Sequence, residues 1–255
     1  MDINALFSLA GRHALITGGN SGIGLAMAQA LGHAGASVTL VARRASELES
    51  AAALLGKDNI RADWIACDLA SPEAVASCGA LCLERHQHTD VLINAAGINL
   101  RKSFMDNSPA DWNLHLALHL GAPFFMTQAL APTMKKNNWG RIINLASLQS
   151  TRAFANGTPY GAAKGGVIQL TRAIAQEWSA HGITCNAIGP GFFKTALTAP
   201  VFDNPELAAK NAAQTCIGRN GELADLAGIT VFFASDASAY ITGQTLMIDG
   251  GFTAK

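Results

Sequence analysis

The sequence predicts one α/β domain, a doubly wound parallel sheet of seven strands of the Rossmann type. Three observations predict it. Apolar runs of strand length alternate with segments of helical period along the chain. The first of these runs ends in a glycine-rich turn that opens into a helical pattern. No stretch rich in Pro, Ser or charge divides the 255 residues, of which 49% are apolar and 14% charged, enough for a core on both faces of a sheet.

The strand-like runs are HALIT at 13–17, SVTLVA at 37–42, ADWIACD at 62–68, DVLINAA at 90–96, RIINLAS at 141–147, ITCNAIG at 183–189 and TLMID at 245–249. Helical segments fill the gaps and begin at recognisable caps, such as Ser71 before Pro72 and Glu73, where a side-chain oxygen takes up free backbone N–H groups. The longest region without a strand is 190–243, with helical stretches at 203–213 and 222–234. Ligands of a doubly wound sheet lie at the carboxyl ends of its strands, so residues 190–216 are a candidate substrate lid.

Composition excludes some classes of partner. Eighteen basic and 18 acidic residues cancel, leaving no basic footprint for nucleic acid. The opening MDINALFSLAGRHALI has neither the basic start nor the apolar run of a secretory signal, and no apolar stretch approaches the roughly 18 residues that cross a bilayer. A cytoplasmic chain with no membrane partner is expected. The five cysteines at 67, 78, 82, 185 and 216 form no CxxC; Cys78 and Cys82, one helical turn apart, read as packing thiols.

The turn after the first strand reads TGGNSGIG at 17–24. Glycines there let the backbone turn tightly and approach a pyrophosphate, whose charge is stabilised by the N–H groups at the helix start. Gly18, Asn20, Ser21, Gly22, Ile23 and Gly24 are therefore candidate cofactor contacts, although the spacing is not G-x-G-x-x-G. The second strand ends in Val-Ala-Arg-Arg, with no acid for a ribose 2′-hydroxyl. Arg43, with Arg44 beside it, can clamp a 2′-phosphate, which favours NADP(H) over NAD(H); the alternative is two solvated arginines opening a loop. Tyr160 and Lys164, in TPYGAAKG at 158–165, share one face of a helix and are either a catalytic pair or a polar stripe.

Taken together, TGGNSGIG at 17–24, Asp68, NAAG at 94–97, Ser147, YGAAK at 160–164, NAIGPG at 186–191, Thr195 and DGG at 249–251 resemble the short-chain dehydrogenase/reductase family over essentially the whole chain. The resemblance implies an oxidoreductase that moves a hydride between NADP(H) and a carbonyl or secondary alcohol, with Ser147, Tyr160 and Lys164 catalytic. Tyr160 would give the carbonyl oxygen its proton, Ser147 would hydrogen-bond that oxygen, and Lys164 would lower the phenol's pKa. It further implies cofactor contacts from Asp68 and Leu69, from Asn94, Ala95 and Gly97, and from Pro190, Gly191 and Thr195 beside Tyr160 and Lys164. On their own, Asp68 can cap the next helix and Asn94 can satisfy a turn.

LFSLAGRHALITGG at 6–19, INLRKSF at 98–104, EWSAHGI at 177–183 and PGFFKTAL at 190–197 resemble the gluconate 5-dehydrogenase branch, which interconverts sugar acids and keto acids. Arg101 and Arg152 are candidate carboxylate partners, and Phe192 a substrate contact. The apolar lid set Phe192, Phe193, Leu197, Val201 and Phe202 suits instead a 3-oxoacyl thioester or a simple ketone, or packs the lid. A dinucleotide sensor without turnover is the reading from another class. The resemblance also implies a homotetramer or dimer.

In one place the chain departs from the family. Counting from Trp112, the position of a fourth catalytic residue, an asparagine, holds His119. The family asparagine holds a water through its backbone carbonyl, which survives any side-chain change. The imidazole can instead join a proton relay, or pair with His115 on a metal, though no glutamate follows His115 and no third ligand is evident, so no metal is expected.

Overall fold

The structure is a computed structural model that describes residues 2–255. Seven strands, β1 (His13–Thr17), β2 (Ser37–Ala42), β3 (Ala62–Ala66), β4 (Val91–Asn94), β5 (Gly140–Leu145), β6 (Ile183–Pro190) and β7 (Thr245–Ile248), form one sheet in the order β3-β2-β1-β4-β5-β6-β7, parallel throughout. A five-residue helix α1 (Ile3–Phe7) precedes the sheet. The larger helices are α2 (Gly22–His33), α3 (Ala45–Lys57), α4 (Pro72–His86), α5 (Pro109–Leu116), α6 (Ala122–Lys136) and α7 (Thr158–Trp178), followed by α8 (Ala199–Phe202), α9 (Pro205–Gln214) and α10 (Ala227–Ala234).

Strand side chains alternate between two buried layers, so the strands read as unbroken apolar runs. Ile16, Ile93 and Ile143 join Met27 and Leu31 of α2, Leu48 of α3 and Phe233 of α10. Their neighbours Leu15, Leu92 and Ile142 join Val75 and Cys78 of α4, Met126 and Leu130 of α6 and Ile174 of α7. Cys78 and Cys82 are buried free thiols. Ser71 caps α4 as expected, its hydroxyl accepting from Ala74 N at 3.2 Å. No helix among the described residues is long and apolar enough to cross a membrane.

Four expected strands extend past the observed pairing at one or both ends, chiefly at their carboxyl ends. The apolar run persists there, but the backbone leaves the ladder: the N–H groups of Ala95 and Ala96 donate to the Thr17 hydroxyl at 3.1 and 3.3 Å, and that of Ser147 to Ser150 Oγ at 3.1 Å. Those departures make the cleft in which the predicted site residues lie.

At the opposite end of the sheet, His13 is buried and stacks on His86, with ring centroids 4.0 Å apart. His13 Nε2 lies 2.9 Å from the Thr39 hydroxyl, which donates to the Asp63 carboxylate; His86 Nε2 is 3.1 Å from Asp63 Oδ2. Burial, then the neighbouring His86, lowers the His13 pKa from 6.5 to about 4. A histidine held below its unfolded value contributes nothing to acid sensitivity above pH 6.5, and stability is lost as pH falls from there toward 4. That loss amounts to at most about 3 kcal/mol. In His13→Val the fall in melting temperature across this window should flatten relative to the native chain; an unchanged slope would show that His13 is not the group protonated.

Candidate active site

Backbone geometry builds the phosphate turn. Gly18 has φ +68° and a Cβ there would lie 2.8 Å from the backbone of Ala96; a Cβ on Gly24 would lie 2.3 Å from Gly18 O. The turn and the β4 loop are thus in contact at positions that admit no side chain. Ser21 sits at the N-cap of α2 in an extended conformation and its side chain caps nothing, so the first N–H groups of the helix have no side-chain partner. Gly22 faces Thr195 across the cleft, with a built Cβ 3.3 Å from Thr195 Cγ2. Ile23, in the first turn of α2, packs on the core.

The two arginines at the end of β2 separate in role. Arg44 forks onto Glu47, which also accepts from Asn20 Nδ2 at 2.7 Å, so Arg44 and Asn20 are both engaged. Arg43 is exposed with no hydrogen-bond or ion-pair partner among the described residues. Asp68 is exposed, accepts from Ala70 N at 3.1 Å in a local turn, and leaves the capping of α4 to Ser71; Leu69 beside it is buried. Asn94 donates to Asn144 Oδ1 at 2.9 Å, while its own Oδ1 is buried without a partner among the described residues. Pro190 is the last residue of β6, and a Cβ on Gly191 would meet Asp249 at 2.8 Å.

Ser147, Tyr160 and Lys164 come together where β5 ends against the first turns of α7. Ser147 Oγ accepts from Gln149 N at 3.1 Å and is close enough to the Tyr160 phenol to favour its phenolate. Lys164 is buried, donates to Leu145 O, and lies 5.7 Å from the centroid of the Tyr160 ring. Burial lowers the Lys164 pKa to about 7. Burial raises that of Tyr160, against smaller opposing effects of Ser147 and Arg101. The expected lowering of the phenol by Lys164 is therefore not what the chain alone displays: desolvation raises it, and the opposing effects come from Ser147 and Arg101.

His119 lies in a π turn, Ala117–Gly121, between α5 and α6. The wider turn directs its ring at Gly97 and Ile98: Nε2 is 2.8 Å from Ile98 O, and a Cβ on Gly97 would come within 2.6 Å of Cε1. Its ring stands edge-on to Tyr160 at 5.1 Å. Burial, and then the charge of Lys164, hold it well below the usual histidine pKa, which keeps it neutral. His115, which the sequence suggested only as a metal partner, is buried in the same cluster 6.5 Å from Tyr160; its position one turn before His119 was the available signal. Among the described residues no group of three or more His, Cys, Asp or Glu can hold a metal ion.

Of the candidate substrate residues, Arg101 has φ +51° and donates to Leu197 O across the cleft at 3.5 Å. Arg152 points away, onto the main-chain oxygen of Lys255 and over the Phe252 ring. Phe192 packs edge-on against Phe154 and Phe252 at 6.3 and 5.8 Å.

A family model described as enoyl-(acyl carrier protein) reductase matches residues 18–253. Gluconate 5-dehydrogenase of Gluconobacter oxydans is 38% identical over 97% of both chains. The chain is a short-chain dehydrogenase/reductase. Galactitol 2-dehydrogenase of Cereibacter sphaeroides is 35% identical to this dehydrogenase/reductase over 99% of both chains. A solved gluconate 5-dehydrogenase from Burkholderia cenocepacia, in complex with NADP and tartrate, superposes with a TM-score of 0.95 at 34% identity over the whole of each chain. Membership makes the chain an NAD(P)-dependent oxidoreductase of CH–OH groups. Its residues fit such a dinucleotide: a glycine cradle that a Cβ would fill, a start of α2 without a side-chain cap, and an exposed Arg43 without a partner among the described residues.

Proposed function

We propose that this enzyme interconverts a secondary alcohol and a ketone on a sugar acid or polyol, using NADP(H) in preference to NAD(H). The observation that carries the substrate class is Arg101. Its guanidinium is near enough to Tyr160 to favour the phenolate, yet its only side-chain bond among the described residues is a long one to Leu197 O. A carboxylate offers a better, forked partner there, and it would place a carbon of the same short chain against Ser147 and Tyr160. The apolar lid residues support this over an acyl thioester: Phe193 and Val201 are buried in packing, and Phe192 is engaged with Phe154 and Phe252. Curated relatives named for 5-keto-D-gluconate reduction and D-threitol oxidation point to the same class.

The bound dinucleotide supplies hydride to the carbonyl carbon, or takes it from the alcohol. The chain supplies the rest. Tyr160, a phenol that burial keeps protonated against the pull of Ser147 and Arg101, donates to the carbonyl oxygen as negative charge develops, and Ser147 stabilises that oxygen by a hydrogen bond. Lys164, once charged, stabilises the phenolate left behind; in oxidation the same residues work in reverse. Gly18 to Gly24 would hold the pyrophosphate, Arg43 the 2′-phosphate, Asp68 and Leu69 the adenine end, Asn94, Ala95 and Gly97 the ribose, and Pro190, Gly191 and Thr195 the nicotinamide side. Residues 190–216 would act as a lid latched by Arg101. A homo-oligomer belongs to this reading, supported by Ala162, Gln169 and Ala173, which are exposed in an uncharged line along the outer face of α7.

The decisive experiment is turnover of a panel of sugar acids, polyols and simple alcohols. Tyr160→Phe should lower kcat at least about 100-fold while NADPH still binds, since only the transferable proton is removed; near-native turnover would sink the mechanism. Arg43→Ala should raise KM for NADP(H) about tenfold more than for NAD(H), and an equal effect on both would reassign the cofactor. Arg101→Ala should lower kcat/KM about 10- to 100-fold for acidic substrates and little for polyols. Equal losses on both would leave the sugar-acid assignment without its partner.

A further inference from the structure

His115 has no part in the reaction described above, yet it is 1% exposed and set against the reacting tyrosine. Its ring is 6.0 Å from that of His119, the two inclined by only 24°. Each imidazole commits one nitrogen to a main-chain carbonyl: His115 Nδ1 lies 2.8 Å from Asp111 O, and His119 Nε2 lies 2.8 Å from Ile98 O. A carbonyl only accepts, so in the neutral form those nitrogens carry the hydrogens; the 3.4 Å approach of Ile98 N to His119 Nε2 is the longer and weaker of that atom's two contacts. His115 Nε2 and His119 Nδ1 are left as bare acceptors, buried and with no partner among the described residues.

Buried acceptors on neighbouring rings call for a donor with more than one hydrogen. The charged and titratable groups around the pair are Tyr160 and Lys164 on α7, Arg101 on the loop after β4, and Asp111, whose carboxylate is held by Lys102 and Ser108. Tyr160 is turned to Ser147, and Arg101 to Leu197. Lys164 has three N–H groups and one protein acceptor, Leu145 O. A water that gives both hydrogens to the imidazoles keeps its lone pairs for that ammonium.

We propose that His115 is a positioning residue of the proton path: with His119 it holds one water by both hydrogens, so that the water's oxygen accepts from Lys164. The proposal rests on the reaction proposed above. For each carbonyl reduced, Tyr160 gives one proton to the substrate oxygen and is re-protonated by way of Lys164; the water then turns one hydrogen from an imidazole to the neutral amine and takes a proton from solvent at its oxygen, returning to the arrangement above. The imidazoles orient the water and do not take the proton themselves, consistent with the neutral state that burial imposes on His119.

The test compares His115→Val with His115→Gln in the full chain, with NADPH and 5-keto-D-gluconate. Valine removes the acceptor and keeps the packing, so kcat should fall about tenfold with KM for NADPH within about twofold. The solvent deuterium isotope effect on kcat should rise, and the midpoint of its pH profile should move by about half a unit or more. Glutamine restores an acceptor oxygen and should recover kcat to within about threefold. In the native chain, nitrogen-15 NMR of the histidines should find the hydrogen of the neutral ring on Nδ1 of His115 and on Nε2 of His119, a result independent of how any variant folds. An unaltered kcat and pH profile in His115→Val would overturn the proposal, as would equal losses in both variants or the opposite His115 tautomer. A native chain that turns over none of the panel would overturn the reaction and, with it, this role; native turnover with an indifferent His115→Val would overturn this role alone.

Discussion

One buried cation governs the carboxyl end of this sheet. Lys164 is 5% exposed and its ammonium has a single protein acceptor. The fall of its pKa from 10.5 to about 7 means that keeping it charged at neutrality costs the free chain up to roughly 5 kcal/mol. The same lack of solvent acts on Tyr160 in the opposite sense, raising the phenol. Before ligands arrive, burial therefore pushes the pair toward phenol and amine, with Lys164 divided about evenly between its two forms near pH 7. A cofactor and substrate that add hydrogen bonds or positive charge at this spot shift both residues toward phenolate and ammonium, which couples binding to catalytic competence.

That cation also dictates its neighbours. A second charge beside Lys164 at this depth would be repelled without screening, and the ring of His119 is accordingly neutral, with burial the first cause and Lys164 the next. A neutral imidazole has one donor and one acceptor nitrogen, so the ring of His119 presents a directed lone pair rather than a charge. The glycine turn, Arg43 and the first N–H groups of α2 lie across the sheet, where the opposite requirement, stabilising phosphate charge, is met by backbone and an exposed guanidinium.

The fold was legible because it depends on periodicity. Every predicted strand is present, and the alternation of Leu15 with Ile16 or Leu92 with Ile93 between two cores explains why continuous apolar runs identified a sheet covered on both faces. Site residues carried by the order of several motifs along the chain, Ser147, Tyr160 and Lys164 above all, were legible in the same way and are brought together. Contacts set by side chains distant in sequence were not. Nothing local says that Arg44 and Asn20 meet on Glu47, that Arg152 turns to Lys255, or that His115 reaches Tyr160. The π turn at Ala117–Gly121 likewise has no local signature, since one extra residue in a helical turn leaves composition and periodicity nearly unchanged.

What the asparagine position requires can be read from the residue that replaces it. In this chain the side chain at 119 meets Ile98 O, in the loop that carries Gly97, and adds no second charge near Lys164. An amide satisfies both, and so does a neutral imidazole protonated at Nε2. The imidazole is bulkier, and its Cε1 occupies the space that a Cβ at residue 97 would need, so glycine at 97 is a steric condition for histidine at 119 as well as a feature of the dinucleotide loop. The exchange also leaves Nδ1 as a buried acceptor that the protein does not satisfy. Such an atom is retained at a cost unless a donor occupies the site during turnover, and the presence of a second unpaired imidazole nitrogen on His115 makes a shared donor the arrangement that meets both needs at once.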